Sequence, residues 1–301
     1  MCIRNIVKIG GSYYVALPKK WVKEYNIDKT RMLNLEFRED GVLEITPLET
    51  KCHEQKVKRI IVSPLLKRNI VAAYLRGFEV IEIDIKGHDV GRVVSMIEHL
   101  QKILIGMEIV EETKRKIVLQ CFTTSDYDLE SLLYRMDSIS RSMYTDAVKA
   151  FEDGNVNLAE SVKRRDDNLD RIYFLTVRTI RSKMVNPLIS GEERLVLLDY
   201  RLLARDLEEI GDLGEEIASS TSTERHNCGL QHFVQEIATY QKEIVKNIIK
   251  DEIQGYNMNY FERIKLLRNT LDCLVTKEEC RSIMSSLGNI LYKLKDIQDL
   301  A

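Results

Sequence analysis

Everything after Asp126 follows a helical pattern, and this long run constrains the fold more than any other feature of the chain. Strand-like alternation stops there, and apolar residues recur at three- and four-residue spacing. Loop-forming stretches divide the run into six helices, which predict two three-helix bundles at 126–225 and 226–301. The predicted helices are Leu129–Asp153, Val156–Met184, Glu192–Thr221, Gln231–Gln254, Tyr260–Val275 and Glu278–Leu300.

A weak internal repeat supports the division into two bundles. Residues 164–175 align with 265–275, and residues 203–218 align with 289–301. Leucine and aspartate positions fall in the same register in both alignments, as expected for two copies of one helical unit.

The third predicted helix carries a stripe of acidic residues. On a wheel of 100° per residue, Glu208, Asp212 and Glu215 lie within about 60° of one another, with leucine and isoleucine roughly opposite. By itself this pattern is typical of a solvated helix face.

The second predicted helix gives a stronger signal. Asp166 and Asp170 share an arc of about 80° with Ala159, Val162 and Val177, so two carboxylates lie in an otherwise apolar seam. Burying two ionised carboxylates costs roughly several kcal/mol unless a cation or a base neutralises them. A solvated face therefore does not explain this pair.

A row of small residues favours a close approach between these two helices. Ala204, Gly211 and Ala218 recur every seven residues beside the acid stripe. Facing carboxylates suit hard, oxygen-preferring ions such as Mg²⁺, Mn²⁺, Fe or Ca²⁺ rather than zinc, and phosphate can complete the shell. The predicted metal ligands are Asp166, Asp170, Glu208 and Asp212.

The alternative to a metal is an acid stripe paired with basic side chains. Such bases, for example Arg164, Arg165 or Arg205, would come from adjacent positions or from a partner chain. Partners of this kind neutralise carboxylates without any ion.

The stretch "ARDLEEIGDLGEEIA" closely resembles the signature helix of the PhoU family, and the pairs Asp166/Asp170 and Glu208/Asp212 resemble its metal-binding motif. The resemblance runs over 126–301 and implies two PhoU-like bundles in a regulator of phosphate transport. The second bundle departs from the motif, because bases replace the first acid of each pair. We therefore expect one metal site per chain and two internal ion pairs, Arg268/Asp272 and Lys295/Asp299.

The first 50 residues differ from the helical region in charge and in their strand-like pattern. Residues 1–31 carry seven bases against two acids, a local positive field that suits a surface contacting phosphates. Two β-rich runs flank Gly10-Gly11, a short helical stretch follows Pro18, and 30–47 alternates as a hairpin turning at Asp40-Gly41. Because a module of about 50 residues with short strands buries little apolar surface by itself, we expect it to form a homodimer.

The order of turn, "LPK" element, short helix and hairpin in this segment resembles the AbrB-like (SpoVT/AbrB) swapped-hairpin family. The resemblance implies DNA binding by a homodimer. On this sequence the matching bases are Arg4, Lys8, Lys19 and Lys20. The alternative is that these charges solubilise a dimerisation module.

Together, an AbrB-like start and PhoU-like bundles resemble the phosphate-uptake regulators found in archaea. The resemblance implies operator DNA, self-association as a dimer or higher oligomer, and contact with a phosphate ABC transporter or sensor kinase. No apolar run approaches the roughly 20 residues that span a bilayer. We expect a cytoplasmic protein whose contact with a membrane, if any, is peripheral.

The pattern of residues 52–125 predicts a strand, a helix, a strand, a helix and a hairpin, which together form a small α/β module. No catalytic or ligand motif stands out in it. We expect a connector or dimerisation layer.

Catalysis is not expected. There is no Glu-x-x-His in 126–301, and no P-loop or HExxH motif. The six scattered cysteines, with no CxxC, predict reduced thiols, and Cys228 with His232 forms no complete metal set. Two other non-enzymatic functions stay open: an adaptor that docks on a transporter or kinase without touching DNA, and an AbrB-type regulator or antitoxin of another pathway.

Overall fold

The computed structural model describes residues 4–37, 41–47, 56–123, 127–186, 189–250, 258–274 and 278–300. The chain divides into two compact units, Met1–Glu54 and Gln55–Ala301. A strand-rich α+β region is followed by a long helical region, which confirms the predicted fold class. Among the described residues, no helix has the length and apolar character that a membrane-spanning segment requires.

The N-terminal unit follows the predicted order of elements. Gly10, at a φ of +62°, turns β1 into β2, and Asp40 of the predicted hairpin turn lies outside the described residues. Both strand pairs are antiparallel two-stranded sheets. The elements are β1 (Ile6–Ile9), β2 (Ser12–Val15), α1 (Lys19–Glu24), α2 (Ile27–Thr30), β3 (Leu33–Phe37) and β4 (Leu43–Pro47).

Within one chain, this unit has almost no interior. Ile27 is the one buried apolar residue among those described in it, whereas Phe37 is 86% exposed, Tyr13 71% and Ile6 69%. Exposed apolar surface of this extent requires a covering surface to be stable in water. The observation supports the predicted dimer, which stays a prediction.

A four-stranded sheet with two helices opens the second unit. The strand order is β5-β6-β8-β7, with β5 and β6 parallel and the other neighbours antiparallel. Gly77 and Gly106, both at positive φ, follow the ends of the two helices. The elements are β5 (Val57–Ile61), α3 (Leu66–Leu75), β6 (Val80–Asp84), α4 (Val90–Ile103), β7 (Met107–Glu112) and β8 (Lys116–Cys121).

The remaining described helices match the predicted order closely. Side chains of Asp128, Asn155 and Ser190 cap the first three, and Ser190 forms a full capping box with Glu193. A 3₁₀ turn at Glu278–Cys280 precedes the last helix. The helices are α5 (Leu129–Asp153), α6 (Val156–Met184), α7 (Gly191–Ser219), α8 (Gln231–Lys250), α9 (Met258–Cys273) and α10 (Arg281–Gln298).

The six helices share one apolar core. Helix α5 packs against α8 as well as against α6 and α7, and α10 packs against α7. A buried polar network crosses from α5 to α8: the Gln241 amide donates to Asp137 Oδ1 at 3.0 Å and to Ser140 Oγ at 2.9 Å. Tyr144 Oη donates to Gln241 Oε1 at 3.1 Å, and Arg141 pairs with Asp137 at 2.7 Å. This satisfied network fixes the register of α8 on α5.

A single buried arginine of α6 docks the α/β module. Arg178, only 6% exposed, donates to the carbonyl oxygens of Tyr74 and Phe78 at the end of α3. Its guanidinium also lies 4.7 Å from the centre of the Tyr74 ring. A cation at a helix C-terminus satisfies otherwise unpaired carbonyls and the helix dipole.

The prediction that all cysteines are reduced thiols is wrong at two positions. Cys228 and Cys280 form a disulfide with their Cα atoms 6.2 Å apart, although 52 residues separate them. Folding brings the segment after α7 to the start of α10, a contact that spacing in the sequence does not reveal. Because its sulfur is bonded to Cys280, Cys228 is not a thiolate in this structure.

Gly214 of α7 provides a test of the packing of α7 on α5. A Cβ there would lie 3.0 Å from the backbone nitrogen of Tyr144 and 3.1 Å from Met143 Cβ. We expect Gly214→Ala to lower the free energy of unfolding by about 1–3 kcal/mol, because the α5 backbone must move. Urea unfolding measures the change.

Gly288→Ala in α10 is the matched control. The nearest atom to a Cβ there is Leu271 Cδ2 at 3.7 Å, an ordinary contact. The higher helix propensity of alanine should then show as a gain of up to about 1 kcal/mol. Equal effects of the two substitutions would contradict the close α5–α7 contact.

Candidate metal centre

Two facing helices position the predicted metal ligands, which we call the carboxylate cluster: Asp166 and Asp170 on α6, Glu208 and Asp212 on α7. Asp166, Asp170 and Glu208 are half-buried, and Asp212 is exposed at the rim. The helices come close because Gly211 has no side chain: a Cβ there would overlap the side chain of Leu169. Since Leu169 precedes Asp170 and Gly211 precedes Asp212, this contact brings the two acid pairs to one place.

The small-residue row predicted from the sequence is confirmed. Ala204, Gly211 and Ala218 are all buried along α7. They allow α7 to sit close to its neighbours.

Burial and mutual repulsion raise the pKa of every member of the carboxylate cluster. The pKa of Asp166 rises to about 7, because burial disfavours its charge and Asp170, Glu215 and Asp212 repel it. The pKa of Glu208 likewise rises to about 7, through burial and then through Asp212 and Asp170.

The same causes act on the remaining two members. Although Asp212 lies at the rim, the surrounding protein partly removes water from its carboxyl group, and this desolvation, then Asp170 and Glu215, raises its pKa to about 6. Burial, then Asp167 and Glu215, raises the pKa of Asp170. Asp212 on α7 raises the pKa of Asp166 on α6, and Asp170 on α6 raises the pKa of Glu208 and Asp212 on α7, so acids of the two helices repel one another across the helix pair.

Two of the three arginines named as partners of the stripe pair with other acids, and the third points to the surface. Arg165 pairs with Asp146 at 2.6 Å and donates to Ser142 Oγ, Arg205 pairs with Glu209 at 2.7 Å, and Arg164 is exposed. Within the described part of the chain, no ion pair reaches the four clustered carboxylates. Neutralisation of the acid stripe by arginines of the same chain therefore lacks support in this geometry, whereas neutralisation by a partner chain is not tested by it.

Glu209, one residue after Glu208, shows what a basic partner does to a carboxylate. Burial pushes its pKa up, but hydrogen bonds from Lys293 and Arg205 outweigh burial, and the pKa falls below its usual value. Lys293 of α10 also lies 3.8 Å from Asp206 Oδ1. Adjacent acids on α7 thus have opposite pKa shifts, because only one of them has cations beside it.

Lys293 was not predicted from any local sequence pattern. It lies 84 positions after Glu209, on the face of α10 that packs on α7. Glu215, by contrast, was visible as part of the stripe, and it repels three members of the carboxylate cluster.

The four side chains do not already form a closed coordination shell. Among the described residues, no three His, Cys, Asp or Glu side chains are arranged to hold a metal ion. The donor set still fits a hard cation, since all donors are carboxylate oxygens and none has a basic partner. Closure around an ion requires side-chain rotation on helices that are already close together.

The corresponding place in the second bundle is occupied differently. Arg268 lies 3.9 Å from the centre of the Tyr292 ring, and its Nη2 atom is buried without a hydrogen-bond partner. The predicted ion pairs Arg268–Asp272 and Lys295–Asp299 do not form between these described residues, so that prediction is wrong. Stacking on an aromatic face takes the place of the ion pair for Arg268.

The predicted DNA-contacting bases all lie on the surface of the N-terminal unit. Arg4, Lys8, Lys19 and Lys20 are exposed. Lys8 Nζ lies 5.7 Å from the centre of the Tyr13 ring, its cross-strand neighbour, and Lys19 and Lys20 begin α1. Their side chains are accessible to a polyanion.

We expect the unfolding temperature of the metal-free protein to fall as pH rises from about 4 to about 7. The folded pKa values of Asp166 and Glu208, about 7, exceed the unfolded values near 4. The folded state therefore binds protons more tightly, and this stabilisation is lost as pH rises through the folded pKa. Calorimetry in a chelator measures the slope.

Asp166→Asn with Glu208→Gln removes both titrating groups without changing their shape. The fall over this pH range should be smaller in the variant than in the unmodified protein. Identical slopes would mean that the two carboxyl groups titrate normally.

Comparison with known proteins places these features in two domain families. Residues 133–221, which include the whole carboxylate cluster, match the model described as the PhoU domain. Residues 6–52 match the model described as "Antidote-toxin recognition MazE, bacterial antitoxin".

Two curated relatives match the helical region. A "Phosphate-specific transport system accessory protein PhoU homolog" from Clostridium acetobutylicum is 28% identical over 133 residues, which cover 43% of this chain and 58% of the relative. A protein of the same description from Aquifex aeolicus is 26% identical over 148 residues, which cover 49% of this chain and 58% of that relative. The chain thus spans 58% of the length of each.

A solved structure described as PhoU from Pseudomonas aeruginosa superposes with a TM-score of 0.41 and 19% sequence identity, covering 57% of this chain and 90% of that one. The two domain models agree with the resemblances carried by the sequence motifs. This chain therefore contains a PhoU domain at residues 133–221 and a MazE/AbrB-like antitoxin domain in its N-terminal part.

Proposed function

We propose that this protein regulates phosphate transport, with a metal-responsive PhoU domain and a DNA-binding N-terminal unit. The observation that carries the proposal is the carboxylate cluster, four acids without basic partners inside the segment that matches the PhoU domain. The names of the two curated relatives point to phosphate-specific transport.

A bound cation removes the electrostatic conflict in the carboxylate cluster. Mg²⁺, Mn²⁺, Fe or Ca²⁺ would be held by Asp166 and Asp170 from α6 and by Glu208 and Asp212 from α7, and would offer free coordination positions to phosphate. Binding favours the ionised carboxylates and so lowers their pKa. The cluster then becomes stabilising instead of destabilising at neutral pH.

The N-terminal unit supplies the DNA-binding half of the proposal. Its basic side chains are exposed, and residues 6–52 match the MazE antitoxin model. This match is consistent with the AbrB-like resemblance of the same segment. A dimer would cover its apolar surface and present two copies of the basic surface to a duplex. We propose that this unit contacts operator DNA of uptake genes and that the metal or phosphate state of the PhoU domain changes this binding.

The antitoxin match also favours a second candidate function. The family model that matches residues 6–52 has a description that names toxin recognition. Neutralisation of a toxin protein is therefore the competing role. A toxin gene beside this one would favour that role, and a phosphate permease gene would favour the first.

We expect the protein to bind Mn²⁺ through the carboxylate cluster. Asp166→Asn with Glu208→Gln should weaken Mn²⁺ binding by more than the roughly 10- to 100-fold that outer-shell changes cause, because two direct ligands are lost. Calorimetric titration of chelator-treated protein, with plasma mass spectrometry of the loaded protein, measures the effect.

The matched control is Glu160→Gln with Glu192→Gln, which removes the same charge from exposed positions on α6 and α7. Its Mn²⁺ affinity should stay close to that of the unmodified protein. If both variants lose Mn²⁺ affinity equally, the loss comes from the change in net charge and not from direct ligands. If the unmodified protein binds no Mn²⁺, the result favours an adaptor that docks through an acidic surface.

We expect affinity for a short mixed-sequence DNA duplex to fall steeply with salt. Lys19→Glu with Lys20→Glu should weaken binding and reduce the slope of log affinity against log salt by about 2, one unit for each lost phosphate contact. Fluorescence anisotropy over a salt series measures both quantities.

Lys242→Glu with Lys246→Glu on α8 makes the same charge change on exposed residues of the second unit. It should leave the slope unchanged. A protein that shows no salt-dependent binding contradicts the DNA-binding half of the proposal without affecting the metal half.

A further inference from the structure

The Cys228–Cys280 disulfide joins two segments that are far apart in sequence. Cys228 lies between α7 and α8, and Cys280 is the last residue before α10. The bond closes a loop across 52 positions that contains the whole of α8 and α9. The bond therefore ties the segment before α8 to the start of α10.

The segment carrying Cys228 is also pinned to the end of α5. His226 N donates to the Glu152 carbonyl oxygen at 3.1 Å, and the His226 ring stacks on Phe151 with 4.4 Å between ring centres. Leu230 N donates to Glu152 Oε1 at 2.8 Å. Through this segment, the disulfide links the start of α10 to the first bundle.

One further contact bridges the same two segments. His226 Nδ1 lies 3.2 Å from Glu279 Oε2, next to the disulfide. When the sulfur bond opens, this is the one remaining ion pair or hydrogen bond between the two segments among the described residues, and a single contact with an exposed carboxylate contributes little. The sulfur bond is therefore the main tie at this point.

We propose that Cys228 and Cys280 form a reversible redox modification site that sets how firmly α8, α9 and α10 are held on the first bundle. Accessibility assigns different roles to the two sulfurs. Cys228 is partly exposed and reacts with external thiols or disulfides. Cys280 is fully buried and attacks the mixed disulfide formed at Cys228 from within the protein.

Oxidation by a small-molecule disulfide such as oxidised glutathione balances in two exchanges. The Cys228 thiolate attacks one glutathione sulfur, forms a mixed disulfide and releases one glutathione thiolate. The Cys280 thiolate then attacks Cys228 Sγ and releases the second. Two protein thiols and one glutathione disulfide give one protein disulfide and two glutathione thiols, and a dithiol reductant reverses the change.

Opening of the bond acts on helices that meet the first bundle. Helix α10 packs on α7, and its Lys293 pairs with Asp206 and Glu209. Helix α8 packs on α5 through the Gln241 network. Loss of the loop closure should therefore raise local opening of α8 and α10 more than that of the α/β module.

The test equilibrates the full chain in mixtures of reduced and oxidised glutathione, traps thiols by alkylation, and maps linked peptides by mass spectrometry. We expect a Cys228–Cys280 link at the oxidising end and two alkylated cysteines at the reducing end, with the same midpoint from either direction. Hydrogen exchange of Gln231–Lys250 and Arg281–Gln298 should be roughly 100-fold faster or more in the reduced form, while Val57–Ile61 is unchanged.

Two variants separate the pair from the other cysteines. Cys228→Ser with Cys280→Ser should exchange like the reduced protein in every buffer, and Cys273→Ser, at an exposed free cysteine, should behave like the unmodified chain. The reduced and oxidised unmodified protein supply the comparison even if the double variant folds poorly.

Three outcomes overturn the proposal: Cys228 linked to another cysteine, a bond that never opens across the buffer series, or equal hydrogen exchange in both redox states. The site is independent of the proposed function. Asp166→Asn with Glu208→Gln should leave the redox midpoint where it is.

Discussion

The contact of α6 with α7 at Leu169 and Gly211 is the constraint on which the candidate site depends. A Cβ at position 211 would overlap the end of the Leu169 side chain, and the close contact brings Asp170 and Asp212, the next residue on each helix, to one place. The apolar seam gains from burial, whereas the acids on it repel each other and raise one another's pKa. A local conflict of this kind within an otherwise consistent core is typical of a functional site, because packing alone would select apolar residues there.

Helix α6 also connects the parts of the second unit. Arg178 reaches the carbonyl oxygens at the end of α3, two turns beyond Asp170 along the helix. On the other side, the Gln241 network and the Cys228–Cys280 bond hold α8 and α10 against α5 and α7. Removing one partner of such a network leaves a buried polar group unsatisfied, at a cost of roughly 1–3 kcal/mol. The helices that carry the carboxylate cluster are therefore held by buried polar contacts on one side and by the disulfide-linked helices on the other.

Local patterns in the sequence predict most of the helices and the carboxylate cluster. Apolar spacing gives α5 and α6 with their observed ends, since Asp128 and Asn155 cap them and Gly154 separates them. The seam around Asp166 and Asp170 follows from the same spacing. Contacts between distant parts of the chain were not predictable: Arg178 with Phe78, Lys293 with Glu209, and Cys228 with Cys280 depend on how the helices pack, and no local pattern encodes that.

The most direct test of the central claim, that Asp166, Asp170, Glu208 and Asp212 hold a metal ion between α6 and α7, is anomalous diffraction from crystals grown with Mn²⁺. We predict one or more anomalous peaks within about 2.0–2.6 Å of oxygens from both helices, the range of hard-cation carboxylate bonds. Crystals with Mn²⁺ elsewhere, or with Asp166 and Glu208 paired to a base, would contradict the account.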